Sequence, residues 1–195
     1  MVAKMANIGQ NWLEVMVPFS YDYRKNFTAS EVSRRTGIAV RTVSRILNKL
    51  VDSNLLRYED EGRNKKFRLN LSIERVRMMM VMVEGYKSLK FSEKSFYLDI
   101  ADIAKSREVV LFGSMVKGYN QKGSDIDILI IGNKDENILK FVDKRVSLQF
   151  ISLKEFKKLL REGDILAVEI IENHVVFGGS SFIDFCWDYY WKIKS

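Results

Sequence analysis

The 195-residue sequence is 47% hydrophobic, holds 32 Lys/Arg against 25 Asp/Glu for a net charge of +7, and carries a single cysteine, Cys186. This apolar content is ample for packed cores in one domain or two small ones, and one cysteine excludes an intramolecular disulfide and fits a reducing compartment. No apolar run approaches the ~20 residues that span a bilayer, and Met1–Gln10 lacks the form of a signal peptide, so a cytoplasmic location without a membrane partner is expected.

The charge is unevenly placed. Residues 1–90 hold 17 Lys/Arg against 9 Asp/Glu, whereas residues 91–195 hold 15 against 16. The excess positive charge therefore lies in the first half, which points to a polyanion partner there.

Ile8, Trp12, Leu13, Val15 and Met16 predict a first helix ending near Pro18, where the missing N–H and the ring oppose continuation. Phe19–Phe27 reads as a loop or short helix rich in aromatics. From Thr28 to Leu50 the pattern is helix, tight turn, helix. Thr28 with Glu31 forms a capping box, Gly37 ends the first helix, and Ile38 plugs the angle. In the second helix Val43, Ile46, Leu47 and Leu50 make the buried face. Arg41, Thr42, Arg45 and Asn48 fall on the other side, as in a helix-turn-helix whose second helix enters a major groove. Strand-like Leu55–Glu59 and Lys66–Leu71, linked by residues 60–65, complete what looks like a winged helix over residues 1–71. Arg63, Lys65 and Lys66 lie on the wing, although Glu59, Asp60 and Glu61 weaken its pull on phosphate. Double-stranded DNA is the expected partner, with packing against protein the alternative.

Ser72–Leu89 reads as a connector helix (residues 72–90 in all) with Ile73, Val76, Met80 and Val83 on one stripe. Met78 to Val83 is apolar almost all round, too much for a helix with one wet face. Such a helix is buried between domains or pairs with its copy, and a homodimer on two half-sites is expected.

From residue 91 a second domain begins. Ser92 is expected to cap a helix toward Ser106, with Phe96, Ile100 and Ile103 facing the strand Val109–Phe112. After Gly113-Ser114 and a ten-residue polar excursion comes Asp125-Ile-Asp127 in a second strand running to Ile131. Residues i and i+2 of a strand share a face, so the two carboxylates project side by side. A pair that close repels unless a cation lies between, and oxygen ligands with phosphates suit Mg²⁺. Gly113 permits a sharp turn exposing backbone N–H groups to a phosphate. Asp135–Asp143 reads as a helix, Arg145–Ser152 as a third strand, Leu153–Arg161 and Ile165–Asn173 as helices, and Val175–Phe177 as a short strand. A final helix to Lys194 carries Phe182, Phe185, Trp187, Tyr190 and Trp191. The expected fold class is α+β, with three strands in one small mixed sheet. His174 reads as structural and Cys186 as core.

Gly113-Ser114 followed ten residues later by Asp125-x-Asp127 resembles the signature of the nucleotidyltransferase superfamily that includes DNA polymerase β. The minimal nucleotidyltransferase branch is the nearest likeness, over roughly residues 92–180. The resemblance implies that Asp125 and Asp127 hold Mg²⁺ (or Mn²⁺) and are catalytic, and that Gly113 and Ser114 hold the triphosphate of a nucleotide, ATP being expected. Lys117, about one turn further on, would neutralise transferred charge, and Ser124 would bond a phosphate or cap the strand. The resemblance also makes a protein acceptor plausible, beside a nucleic-acid one.

The family's third acid, on the neighbouring strand, is missing. Ser147 and Gln149 occupy the relevant face, with Val146, Leu148 and Phe150 on the other, and Asp143 and Glu155 are displaced substitutes. Two functions stay open: a DNA-directed enzyme transferring NMP, AMP from ATP, to a hydroxyl, or a winged-helix regulator whose transferase-like domain binds nucleotide without turnover.

Overall fold

The computed structural model describes residues 11–117, 125–136, 138 and 144–192. Ile8, Ser124, Asp143 and most of the expected helix 135–143 lie outside them. The chain divides into two compact units, residues 1–83 with 189–195, and residues 84–188.

In the first unit, α1 (Trp12–Tyr21) buries Val15, Met16, Pro18, Phe19 and Ser20. The helix does not stop at Pro18. Proline costs it one hydrogen bond, and the last turn is held instead by Phe19 packed edge-on to Phe27 at 5.0 Å and by Ser20 Oγ donating to the Val17 carbonyl. α2 (Ala29–Thr36) starts in the expected capping box: the Thr28 amide donates to Glu31 Oε2 at 2.7 Å, and the Glu31 amide donates to Thr28 Oγ1 at 3.2 Å. These bonds hold the Glu31 carboxyl below its ordinary range. Gly37 closes the helix. α3 (Val40–Asp52) buries Val43, Ile46, Leu47 and Leu50, the face read from the sequence.

β1 (Leu56–Glu61) and β2 (Asn64–Leu69) pair antiparallel with Glu61 opposite Asn64. The link is thus the two residues Gly62-Arg63 rather than the six expected. Gly62, at φ +59, supplies the positive φ that a type II′ turn needs at its first position. Opposite charges then face each other, Glu59 with Lys66 and Asp60 with Lys65, and extend the pairing to the tip. The amide and carbonyl of Phe27 bridge to Phe67, adding a third short edge to the hairpin.

α4 (Glu74–Ser92) buries Val76, Met79, Met80 and Val83, while Met78 and Met82 are 60% and 52% exposed. Ser92 is its last residue, its hydroxyl donating to the Leu89 carbonyl, so it does not cap the next helix. That helix, α5 (Tyr97–Ser106), begins after Phe96 without a side-chain cap.

In the second unit, β3 (Val109–Phe112) leads through Gly113 into the short α6 (Ser114–Lys117), and β4 (Ile126–Ile131) follows the polar excursion. β5 (Val146–Ile151), α7 (Leu153–Glu162), α8 (Ile165–Glu172), β6 (Val175–Phe177) and α9 (Ser181–Lys192) as far as Asp188 complete it. The strands form one mixed sheet in the order β5-β4-β3-β6, with β4–β5 parallel and the other pairs antiparallel. Four strands take part rather than three, because Val175–Phe177 pairs along β3. β3 is apolar and buried throughout, as a central strand covered on both faces must be. Ile100, Ile103 and Ala104 of α5 pack with Val109, Leu111, Ile126, Ile128 and Ile130. Glu108 accepts from the Phe182 amide at 2.9 Å and from the Ser181 hydroxyl, capping α9 from a distant part of the chain. Cys186 is buried, and burial pushes its thiol well above the ordinary value. Among the described residues no helix is long and apolar enough to cross a membrane.

Candidate functional site

Strand directions decide what meets at the end of the sheet. Because β3 runs antiparallel to β4, its last residue Phe112 lies beside Asp127 near the start of β4. The turn that follows is then brought onto the Asp127 side chain. A Cβ added at Gly113 would overlap Asp127 Oδ2 and lie 3.2 Å from its Cγ, so only glycine permits this approach. Gly113 also sits at φ +73, where a side chain is strained. On the other flank β5 runs parallel and sets Ser147 opposite Asp127.

Asp127 is half-buried and Asp125, immediately before β4, is exposed. Burial raises the Asp127 carboxyl above its ordinary value, the Ser147 hydroxyl bond offsets part of that, and the charges of Asp125 and Glu169 raise it further. The corner therefore concentrates negative charge that a cation would relieve, and its oxygen donors suit Mg²⁺ or Mn²⁺. Among the described residues no group of three His, Cys, Asp or Glu side chains is arranged to hold a metal ion. Two carboxylates with substrate phosphates still meet the modest protein-ligand demand of Mg²⁺.

Ser114 opens α6, and Lys117 closes it. The Lys117 ammonium makes an ion pair with Glu169 of α8, Nζ to Oε1 2.8 Å. Glu169 went unread in the sequence. Its signal is a carboxylate set inside the apolar run Ile165 to Ile171, where charge needs a partner. Ser147 stands opposite Asp127, where the third acid is expected, and its hydroxyl holds the Asp127 carboxyl down in part without adding charge. Gln149 is exposed further along β5. Glu155 lies beyond the far end of β5, in the first turn of α7, so it is no substitute for an acid beside Asp127.

In the first unit Arg41 and Arg45 are exposed on α3, and Thr42 and Asn48 are half-buried. The Asn48 amide donates to the Ser44 carbonyl at 2.8 Å. α3 begins with no side-chain cap; its Thr42 and Val43 amides donate to the Ala39 carbonyl at 2.9 and 3.1 Å. The hairpin cations are partly spent: Lys66 pairs with Glu61 at 2.8 Å, and Lys65 lies 4.0 Å from the centre of the Tyr58 ring. Arg63 is exposed at the turn.

Compared with known proteins, residues 96–181 match the family model described as a nucleotidyltransferase domain, which covers less than half of the chain. No curated protein sequence matches significantly. Among solved structures, TrmBL2, an archaeal chromatin protein described as showing a novel mode of DNA binding, aligns with 95% of this chain and 93% of its own. Its identity is 14% and its TM-score 0.29, a likeness that carries no argument.

Proposed function

We propose that the chain is a DNA-binding nucleotidyltransferase that transfers a nucleoside monophosphate, AMP from ATP, to a hydroxyl of a protein or nucleic acid. The observation that carries this reading is the Asp127 carboxylate seated on the side-chain-free Gly113 turn with Asp125 alongside. Asp125 and Asp127 would hold Mg²⁺ (or Mn²⁺), which when bound neutralises phosphate charge and activates the acceptor hydroxyl. Gly113, Ser114 and Ser124 would receive the triphosphate, with Lys117 as counter-charge. The acceptor oxygen bonds to the α-phosphorus, the bond to the pyrophosphate oxygen breaks, and the hydroxyl proton leaves to water.

The test is incubation with labelled ATP, Mg²⁺ or Mn²⁺, and lysate. Asp125→Asn and Asp127→Asn should each lower label transfer by ~10² or more, as expected for a pre-organised charge in phosphoryl transfer. Asp127→Asn should melt at or above the wild-type temperature, because a carboxyl whose folded-state pKa is raised costs stability once pH rises above it. Loss of transfer with a sound fold is the outcome that supports the site. Equal transfer by the variants would end the assignment.

A second reading has its own observation: Ser147 in place of an acid beside Asp127. Weak activation of the hydroxyl would slow chemistry by ~10²–10⁴, leaving a nucleotide-responsive regulator. Nucleotide-dependent DNA affinity without label transfer would favour it.

The first unit is proposed as a winged helix that binds double-stranded DNA through Arg41, Thr42, Arg45 and Asn48, with Arg63, Lys65 and Lys66 on the wing. Support comes from the exposed arginines and the uncapped start of α3. Arg41→Ala with Arg45→Ala should weaken duplex binding by roughly 10–100-fold at fixed salt, and flatten the salt dependence if phosphates are the contacts. Titration of a labelled duplex at several salt concentrations checks both. Lys65 or Lys66 variants should cost less, since each already has an internal partner. The exposed Met78 and Met82 support a homodimer; a monomeric mass by light scattering would remove that part.

A further inference from the structure

The Lys117–Glu169 pair joins α6 to α8 beside the Gly113 turn, with the two side chains 33% and 31% exposed. The charge of Glu169 is felt at Asp127 as well. Among the described residues the corner thus brings together the carboxylates of Asp125, Asp127 and Glu169 and the ammonium of Lys117. A polyphosphate without a cation must share the Lys117 ammonium with Glu169, and it faces all three carboxylates. A polyphosphate that arrives with a divalent cation brings the charge that relieves Asp125 and Asp127, so releasing Lys117 from Glu169 becomes affordable.

We infer that Glu169 is a specificity-determining residue of the proposed nucleotide site: by holding Lys117 in the nucleotide-free protein, it restricts binding to polyphosphates accompanied by a divalent cation. The inference rests on the nucleotide reading above and adds a residue that acts through Lys117 rather than on the reacting atoms. A carboxylate in this place costs metal-free affinity and gains discrimination.

Equilibrium binding of inorganic tripolyphosphate and of ATP, each in EDTA and in excess Mg²⁺, tests it on the full chain. Glu169→Gln should tighten metal-free binding of both about tenfold, the size of one partly screened charge. With Mg²⁺ the same variant should stay within about threefold of wild type, since only a surface-screened charge is then removed. Lys117→Met should weaken binding in all conditions and cancel the gain from Glu169→Gln in the double variant. Unchanged or weaker metal-free binding by Glu169→Gln, with a normal melting curve, overturns the inference and leaves the pair as a tie between two helices. Failure of wild type to bind ATP in Mg²⁺ overturns the nucleotide reading itself, and the inference falls with it.

Discussion

Lys87→Met is expected to destabilise the 84–188 unit by about 3–5 kcal/mol, the cost of leaving a buried charge without its partner. Glu84, Lys87 and His174 are 0%, 1% and 0% exposed. Lys87 Nζ lies 2.9 Å from both carboxylate oxygens of Glu84, and His174 Nε2 approaches Oε1 at 3.4 Å. His174 Nδ1 faces the carbonyls of Ile170 and Ile171 at 3.2 and 3.1 Å and donates to them. Burial works to raise the Glu84 carboxyl, but Lys87 and then His174 outweigh it and hold it below the ordinary carboxylate range. The Lys87 ammonium is lowered by burial, with Glu84 offsetting part of the cost. Thermal melting should show the Lys87→Met unit unfolding on the order of 10 °C lower. Adding Glu84→Gln should recover much of the loss, because the unpaired charge is then gone. A single variant within about 1 kcal/mol of wild type would mean that water or rearrangement reaches the carboxylate. In the wild type the share of stability owed to Glu84 is present near neutrality. It is lost on acidification as pH falls through the depressed folded-state value.

Gly113→Ala should abolish most label transfer while leaving the fold largely in place. The added methyl overlaps Asp127 Oδ2, lies 3.2 Å from Cγ and 3.3 Å from Cβ, and is attached to a backbone at φ +73. Backbone strain of that kind costs roughly 1–2 kcal/mol. The larger effect is geometric. The Asp127 carboxylate must swing away, and a displacement near 1 Å in a positioned group can cost ~10²-fold in rate. Label transfer and melting temperature, measured side by side, separate the two. Transfer within about threefold of wild type would show that the seat of Asp127 on the turn is irrelevant to chemistry.

Local rules made much of this fold legible. The Thr28–Glu31 box, the Gly37 stop, the buried face of α3 and the strands around Gly113 follow from capping, helical spacing and apolar runs, each settled within a few residues. The closeness of the glycine turn to the aspartate strand was legible for the same reason, since both lie in one short stretch of sequence. Pro18 was misread because its local cost is outweighed by the packing of Phe19 against Phe27, which propensity does not report. The hairpin was read too open because Glu–Lys pairing across strands depends on register.

Other features depend on residues far apart in the chain. Nothing near Glu84 and Lys87 announces His174, and nothing near Lys117 announces Glu169, because each pairing exists only once helices and strands have packed. Ser147 marks a missing acid in the chain, and only the parallel register of β5 sets its hydroxyl opposite Asp127. Spacing along the backbone thus names the groups that carry charge, whereas their neutralisation depends on distance in space, and electrostatic energy follows the latter.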